Sequence, residues 1–309
     1  AKIFTDRCEF AIDIVNNPVP FEPVNLGDSV NSSKNEYWPS LSIDGNVLIF
    51  TVLDPVDPSK PIEFGNRQED FYISVRDSVG QWSKRRNFGS PINTLDNEGA
   101  QTVSADGRFM FFTACNRPDG KGMCDIYMSK NINGKWSVPV NLGSPINTQY
   151  SEKHPSASSD GRILYFASDR PGGKGGLDIY VSQRFENGEW SVPQNLGGSI
   201  NTPGDEQSPF IHPDGKTLYF SSEGHNNLGM GDIFMSRLEN ANVWSPPLNL
   251  GYPINTHNNE MGLIVNSTGD IAYYATDRLT GKDLDIYKFH LYPEARPDPV
   301  SYMHGKVFD

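Results

Sequence analysis

The chain has 309 residues and a formal net charge of −12, which argues against nucleic acid and against anionic membrane surfaces as direct partners, since both are held by basic patches. Hydrophobic residues make up 36% of the chain and glycine is plentiful, close to the globular norm, so a packed core is expected and disorder is not. No apolar run approaches the ~20 residues of a membrane span, and no zinc-type or cofactor-binding motif occurs, so neither membrane insertion nor a cofactor is expected.

Residues 1–16 stand apart from the rest. Phe4, Cys8, Ala11 and Val15 recur at spacings of three and four, which predicts a helix ended by Asn16-Asn17-Pro18. Phe10, Ile12 and Ile14 also alternate, so a strand is the competing reading. A lone amphipathic helix here would be the last piece of an upstream helical domain, or a cap on the repeat array.

From residue 17 to residue 290 the chain repeats itself. An N-(L/F)-G tripeptide recurs with its Asn at 25, 87, 141, 195 and 249, in steps of 62 and then 54 three times. A fixed period of this size marks an array of one supersecondary unit. Within the unit, β-branched and aromatic residues alternate around Asp-Gly and Asn-Gly turns, as at Asp160-Gly161 and Asn187-Gly188, the strongest short signals for hairpins. Four short strands per unit and no helical stretch predict an all-β fold, a β-propeller of four-stranded blades. The ends of the array decide the blade number. "PFEPVNLG" at Pro20–Gly27 matches "WSVPVNLG" at Trp136–Gly143, an outer strand, whereas the last unit stops at "LDIYKF" without one. Five inner triplets and five outer strands give five blades, closed by pairing the N-terminal outer strand with the last unit, which leaves no free edge.

Eleven residues past each register Asn stands a glutamate: Glu36, Glu98, Glu152, Glu206 and Glu260. Each precedes an innermost strand, so the five carboxylates are expected to ring the channel mouth, either as a cation or basic-peptide site or as acceptors for loop N–H groups. Repetition in every blade favours the folding role, because chemistry usually breaks symmetry. The same holds for Asn31, Asn93, Asn147, Asn201 and Asn255, read as loop locks, and for Asp70, Asp125, Asp178, Asp232 and Asp285, read as caps on loop amides. His212 replaces the serine of an S-x-D-G turn and is read as a turn cap.

The copies disagree in the long loops between second and third strands, at Asn116–Met123, Asp169–Gly176, Glu223–Gly231 and Asp277–Asp283, with an insertion at Asp54–Gln68. Variable loops on a rigid scaffold are where binding usually resides. These carry Arg117 and Lys121, Arg170 and Lys174, and Arg278 and Lys282, which makes them the candidate docking cations. Cys115 and Cys124 bracket one such loop inside a hairpin. A cross-strand disulfide is geometrically possible there, and two small buried thiols are the alternative. Catalysis is the minority reading. No unique pair of acids stands out for glycoside chemistry, and no G-x-S-x-G elbow occurs. A carbohydrate or muropeptide binder is the main alternative to a protein-binding scaffold, and a glycoside-processing enzyme is the less favoured one.

After the array, Pro293, Pro297 and Pro299 give residues 291–309 a linker composition, and "VSYMHGKVFD" at Val300–Asp309 alternates like the first strand of a further domain.

These residues carry a resemblance. "SSDGRILYFASDRPGG" followed by "LDIY" resembles the WD-like propeller repeat of TolB. With "NEYWPSLSIDG", "NEGAQTVSADGR", "GDEQSPFIHPDGKTLYFSSEG" and both odd ends, the chain resembles the propeller region of the PorE-like envelope proteins of Bacteroidota, associated with type IX secretion. In that family a helical tetratricopeptide-like domain precedes the propeller, and regulatory-like and OmpA C-terminal-like domains follow it. The resemblance implies a non-catalytic interaction scaffold in the periplasm, tethered at the outer membrane. Its partners would be other secretion or envelope proteins, with peptidoglycan held through a domain outside this chain.

Overall fold

In a computed structural model the described residues are 2–55, 67–240, 243–279, 281 and 283–302. Five antiparallel sheets follow one another round a ring. Blade I is built from Asn35–Leu41, Val47–Pro55, Arg67–Val75 and Arg86–Asn87, and blade II from Asn97–Val103, Phe109–Cys115, Cys124–Ile132 and Val140–Asn141. Blade III comprises Glu152–Ala157, Ile163–Ser168, Asp178–Gln183 and Gln194–Asn195; blade IV comprises Glu206–Ile211, Thr217–Ser222, Asp232–Asn240 and Leu248–Asn249. Blade V takes Ile264–Val265, Ile271–Thr276 and Asp285–His290 from the end of the array and Val24–Asn25 from its beginning. The closing register pairs Val24 with Lys288 and Asn25 with Tyr287, so the five-bladed, strand-closed propeller expected from the repeat is the fold.

The core lies between blades. Phe111 and Ile126 of blade II pack on Leu164 and Phe166 of blade III, all fully buried, each such side chain contributing about 1.5–3 kcal/mol relative to exposure. Tryptophans that open the outer strands staple blades II, III and IV to the one before. Trp190 meets Phe111 edge-on at 5.9 Å, Trp244 meets Tyr165 at 6.2 Å, and Trp136 lies 6.2 Å from Phe88. The outer strands themselves are only two residues long, because the register Asn then turns its side chain inward instead of continuing the ladder.

The helix spans Lys2–Asn16 and is stopped by Asn17, whose backbone and side-chain amides both donate to the carbonyl of Asp13. Arg7 reaches the Gly224 carbonyl, and Ala11 and Val15 line a groove with Leu228, Tyr252 and Leu279. The helix therefore sits on the long-loop side of blades IV and V. At the opposite end, residues 291–300 do not leave the propeller as a free linker. Ala295 is fully buried, its carbonyl accepts the Tyr219 hydroxyl at 2.6 Å, and the Val300 N–H donates to the Ser267 carbonyl. Most of the Val300–Asp309 segment and the tip of the Asp54–Gln68 insertion lie outside the described residues.

Candidate functional site

The repeated polar residues form one interlocking network per blade. In blade II the Asn147 side chain imitates a peptide: its Oδ1 accepts the Ile126 N–H at 2.9 Å and its Nδ2 donates to the Ile126 carbonyl at 2.8 Å. Nδ2 also donates to Oδ1 of Asn141, which in turn accepts the N–H of Gly143. Asn141 Nδ2 donates to Asp125, and Asp125 accepts backbone N–H groups of the long loop. The same pattern recurs around Asn31, Asn93, Asn201 and Asn255. These residues satisfy groups that the short outer strand leaves unpaired.

The glutamates do not ring a solvent-filled mouth. Glu36, Glu98, Glu152 and Glu206 have no exposed surface and Glu260 almost none. Each accepts the N–H and the hydroxyl of the Ser or Thr four residues before it, as Thr148 donates to Glu152 at 2.8 and 2.7 Å. Burial pushes all five carboxyls above their usual range, and these hydrogen bonds pull them partly back. The expectation of a channel-mouth ring is therefore corrected: the carboxylates are turned into the blade, where the loop needs acceptors.

The candidate docking arginines are corrected for the same reason. Arg117 pairs with Glu98 and lies over Tyr127 at 4.6 Å, with 8% of its side chain exposed. Arg170 pairs with Glu152 at 3.1 Å, donates to the Ile146 carbonyl and lies 5.1 Å from both Phe166 and Tyr180. Arg278 is half-buried over Phe21 and donates to the Tyr274 hydroxyl. Arg85 serves Glu36 at 3.4 Å, and in blade IV His225 stands on the Ile200 carbonyl near Glu206. A buried carboxylate needs a nearby cation or donor set, and the long loop is the segment within reach. Lys121 and Lys174 are exposed, Lys121 donating to Ser144 at 3.0 Å; Lys282 lies outside the described residues. Cys115 and Cys124 face each other across the hairpin and form a disulfide that closes the Arg117 loop. His212 caps its turn, accepting the Asp214 N–H at Nδ1, which leaves Nε2–H to donate to the Asn266 carbonyl of blade V.

The feature missed in the sequence lies two residues past each glutamate. There the inner strand bulges, and Trp38, Ala100, His154 and Ser208 all have φ between 50° and 55°, matched by Gly262 at 70°. The backbone is five-fold repeated while the side chains are all different. They encircle the central channel, a cavity of about 90 Å³ lined by the inner strands of all five blades. Trp38 reaches across from blade I to stack on His154 of blade III, with ring centroids 4.5 Å apart and planes 30° from parallel. Gly262 makes this possible, since a Cβ there would lie 2.7 Å from Trp38 Cε3. Burial, with a smaller contribution from Lys153, holds the His154 imidazole neutral, its pKa down at about 3. The signal was legible: aligned at the glutamate, the copies read Trp, Ala, His, Ser, Gly.

No family model matches the chain, and no curated protein sequence matches it. Solved structures do. TolB from Acinetobacter baumannii superposes with a TM-score of 0.51 at 16% identity, over 87% of this chain and 57% of that one. A putative TolB from Agrobacterium tumefaciens gives 0.51 at 16% identity, over 82% of this chain and 76% of that one. An α-L-arabinofuranosidase from Lactobacillus brevis gives 0.53 at 13% identity, over 91% of this chain and all of that one. This is a TolB-like propeller fold. At such identities the likeness extends to architecture alone.

Proposed function

We infer that the protein is a non-catalytic scaffold that docks another protein on the long-loop face of its propeller. The observation that carries this reading is what the face leaves exposed once its charges are paired. Leu95 is 79% exposed and Met123 65%, both on loops of blade II. Adaptable apolar side chains between exposed lysines suit a protein partner better than a small polar ligand. The buried acids support the absence of catalysis. Hydrolysis of a glycoside needs two carboxylates beside the scissile bond, and among the described residues neither Asp nor Glu lines the channel.

The place of action we infer is the periplasm, at the outer membrane, among secretion or envelope proteins, with peptidoglycan held by a domain outside this chain. The disulfide fits an oxidising compartment. No described helix is long and apolar enough to cross a membrane. Replacing Leu95 and Met123 together by Glu is expected to reduce recovery of envelope partners in a native pull-down at least fivefold while leaving the melting temperature unchanged. Undiminished recovery would sink the docking face. Calorimetry with muropeptide fragments should show no binding that the Leu95 and Met123 replacements abolish; a saturable heat lost in that variant would transfer the loop face to the carbohydrate-binding alternative.

A further inference from the structure

Buried polar atoms without a hydrogen-bond partner gather at the central channel: of the eight such side-chain atoms among the described residues, three, His154 Nδ1, Ser208 Oγ and Gln101 Oε1, belong to residues that line this one cavity. Ser208 and Gln101 are each only 6% exposed. Leaving such groups unpaired costs about 1–3 kcal/mol each. The backbone adds to this cost, because Trp38 and His154 occupy a left-handed conformation that disfavours any residue with a Cβ by roughly 1–2 kcal/mol. Strain and unmet hydrogen bonds gathered in one concavity point to a ligand that meets them.

The lining restricts what that ligand is. No Asp, Glu, Lys or Arg contributes to the cavity wall, in a chain whose net charge is −12. A charged molecule would lose its hydration there with no counter-charge to replace it. Gln101 Oε1 is an acceptor only, since its Nε2 already donates to the Trp38 and Ile49 carbonyls. The Ser208 hydroxyl can both give and take a hydrogen bond, and the neutral His154 ring carries one donor and one acceptor. The other polar side chains of the wall include Thr102, Ser156 and Ser267, which already hold hydrogen bonds between blades, and its apolar part includes Pro39, Pro155, Pro209, Phe210 and Leu263.

We propose that the channel is a binding site for a small uncharged polyhydroxylated molecule, a polyol or a single sugar unit, held against the Trp38–His154 stack by Ser208, Gln101 and His154. Its hydroxyl groups supply the donors that Gln101 needs, and its C–H face covers the prolines and the aromatic pair. The site is separate from the loop face proposed for protein docking, so either can fail alone.

The test is titration of the full chain with glycerol, erythritol and D-xylose, and with succinate and putrescine as charged controls, followed by tryptophan fluorescence and calorimetry. At least one uncharged probe is expected to bind saturably, and neither charged probe is. Ser208→Ala removes a hydroxyl that is buried without a partner in the free protein, so it should leave the melting temperature equal or higher and weaken binding at least fivefold. Trp38→Leu should abolish the fluorescence response and weaken binding further. Absence of saturable binding by all three uncharged probes, binding by a charged control, or full affinity in Ser208→Ala would each overturn the proposal.

Discussion

Asp232 shows how one buried carboxyl can register pH. It opens the third strand of blade IV with no exposed surface, accepting the Asn249 side chain at 2.7 Å and the Leu228 N–H at 2.8 Å, while its Oδ1 has no partner. Burial, reinforced by the nearby Glu260, raises its pKa from 3.8 to about 6. A carboxyl raised in the folded state binds its proton more tightly there than in the unfolded chain. Its contribution to stability is therefore fully present below pH 3.8 and is lost as pH rises through 6. Asp232→Asn keeps the acceptor and removes the charge, so it should raise the melting temperature at pH 7.5, by the equivalent of about 1–3 kcal/mol. The gain should shrink towards zero at pH 4 in a thermal denaturation series. A gain independent of pH would show that this carboxyl is not titrating in that window.

The blade makes the long loop a structural element as well as a surface. Arg117, fixed over Tyr127 and paired with Glu98, connects the second–third loop to the start of its own inner strand. Arg117→Ala leaves a carboxylate buried without its cation and is expected to cost about 3–5 kcal/mol. Pairing it with Glu98→Gln should recover more than half of that loss in a urea-unfolding double-mutant cycle. Additive losses would mean that the two side chains are not coupled. Legibility at this scale was uneven. The glutamates and arginines were identifiable by position, and their repetition correctly suggested a folding role for the acids. Their pairing was not legible, because which loop folds back over which strand start depends on the twist of the blade. Without that, cations on a variable loop look free.

At the scale of the whole ring, closure rests on a short seam. Among the described residues, strand pairing with the last repeat is confined to Val24 and Asn25, and Leu26 and Asn31 add bonds to the backbone of Ile286. Asn31→Ala should therefore expose Asp285–His290 to hydrogen exchange before any other third strand. Asn147→Ala, which removes the same bonds inside a continuous blade, should not single out one strand. Equal local protection in the two variants would mean that the seam is no weaker than the interior of the ring. Both faces are also partly covered near it, by the Lys2–Asn16 helix on one side and residues 291–300 on the other. The open part of the long-loop face is consequently that of blades I to III.

The period of the repeat, its hairpin signals and the orphan outer strand were enough by themselves to determine a five-bladed propeller and its mode of closure. That information is local and repeated, so each copy confirms the others. The one aligned position at which the copies differ is visible in the sequence, but that these side chains meet in one cavity was decided by tertiary structure. Trp38, His154 and Ser208 are more than fifty residues apart in the chain, and each looks ordinary in its own copy. Only the closing of the ring turns five equivalent bulges toward one axis, and there the differences between the copies become a single asymmetric cavity.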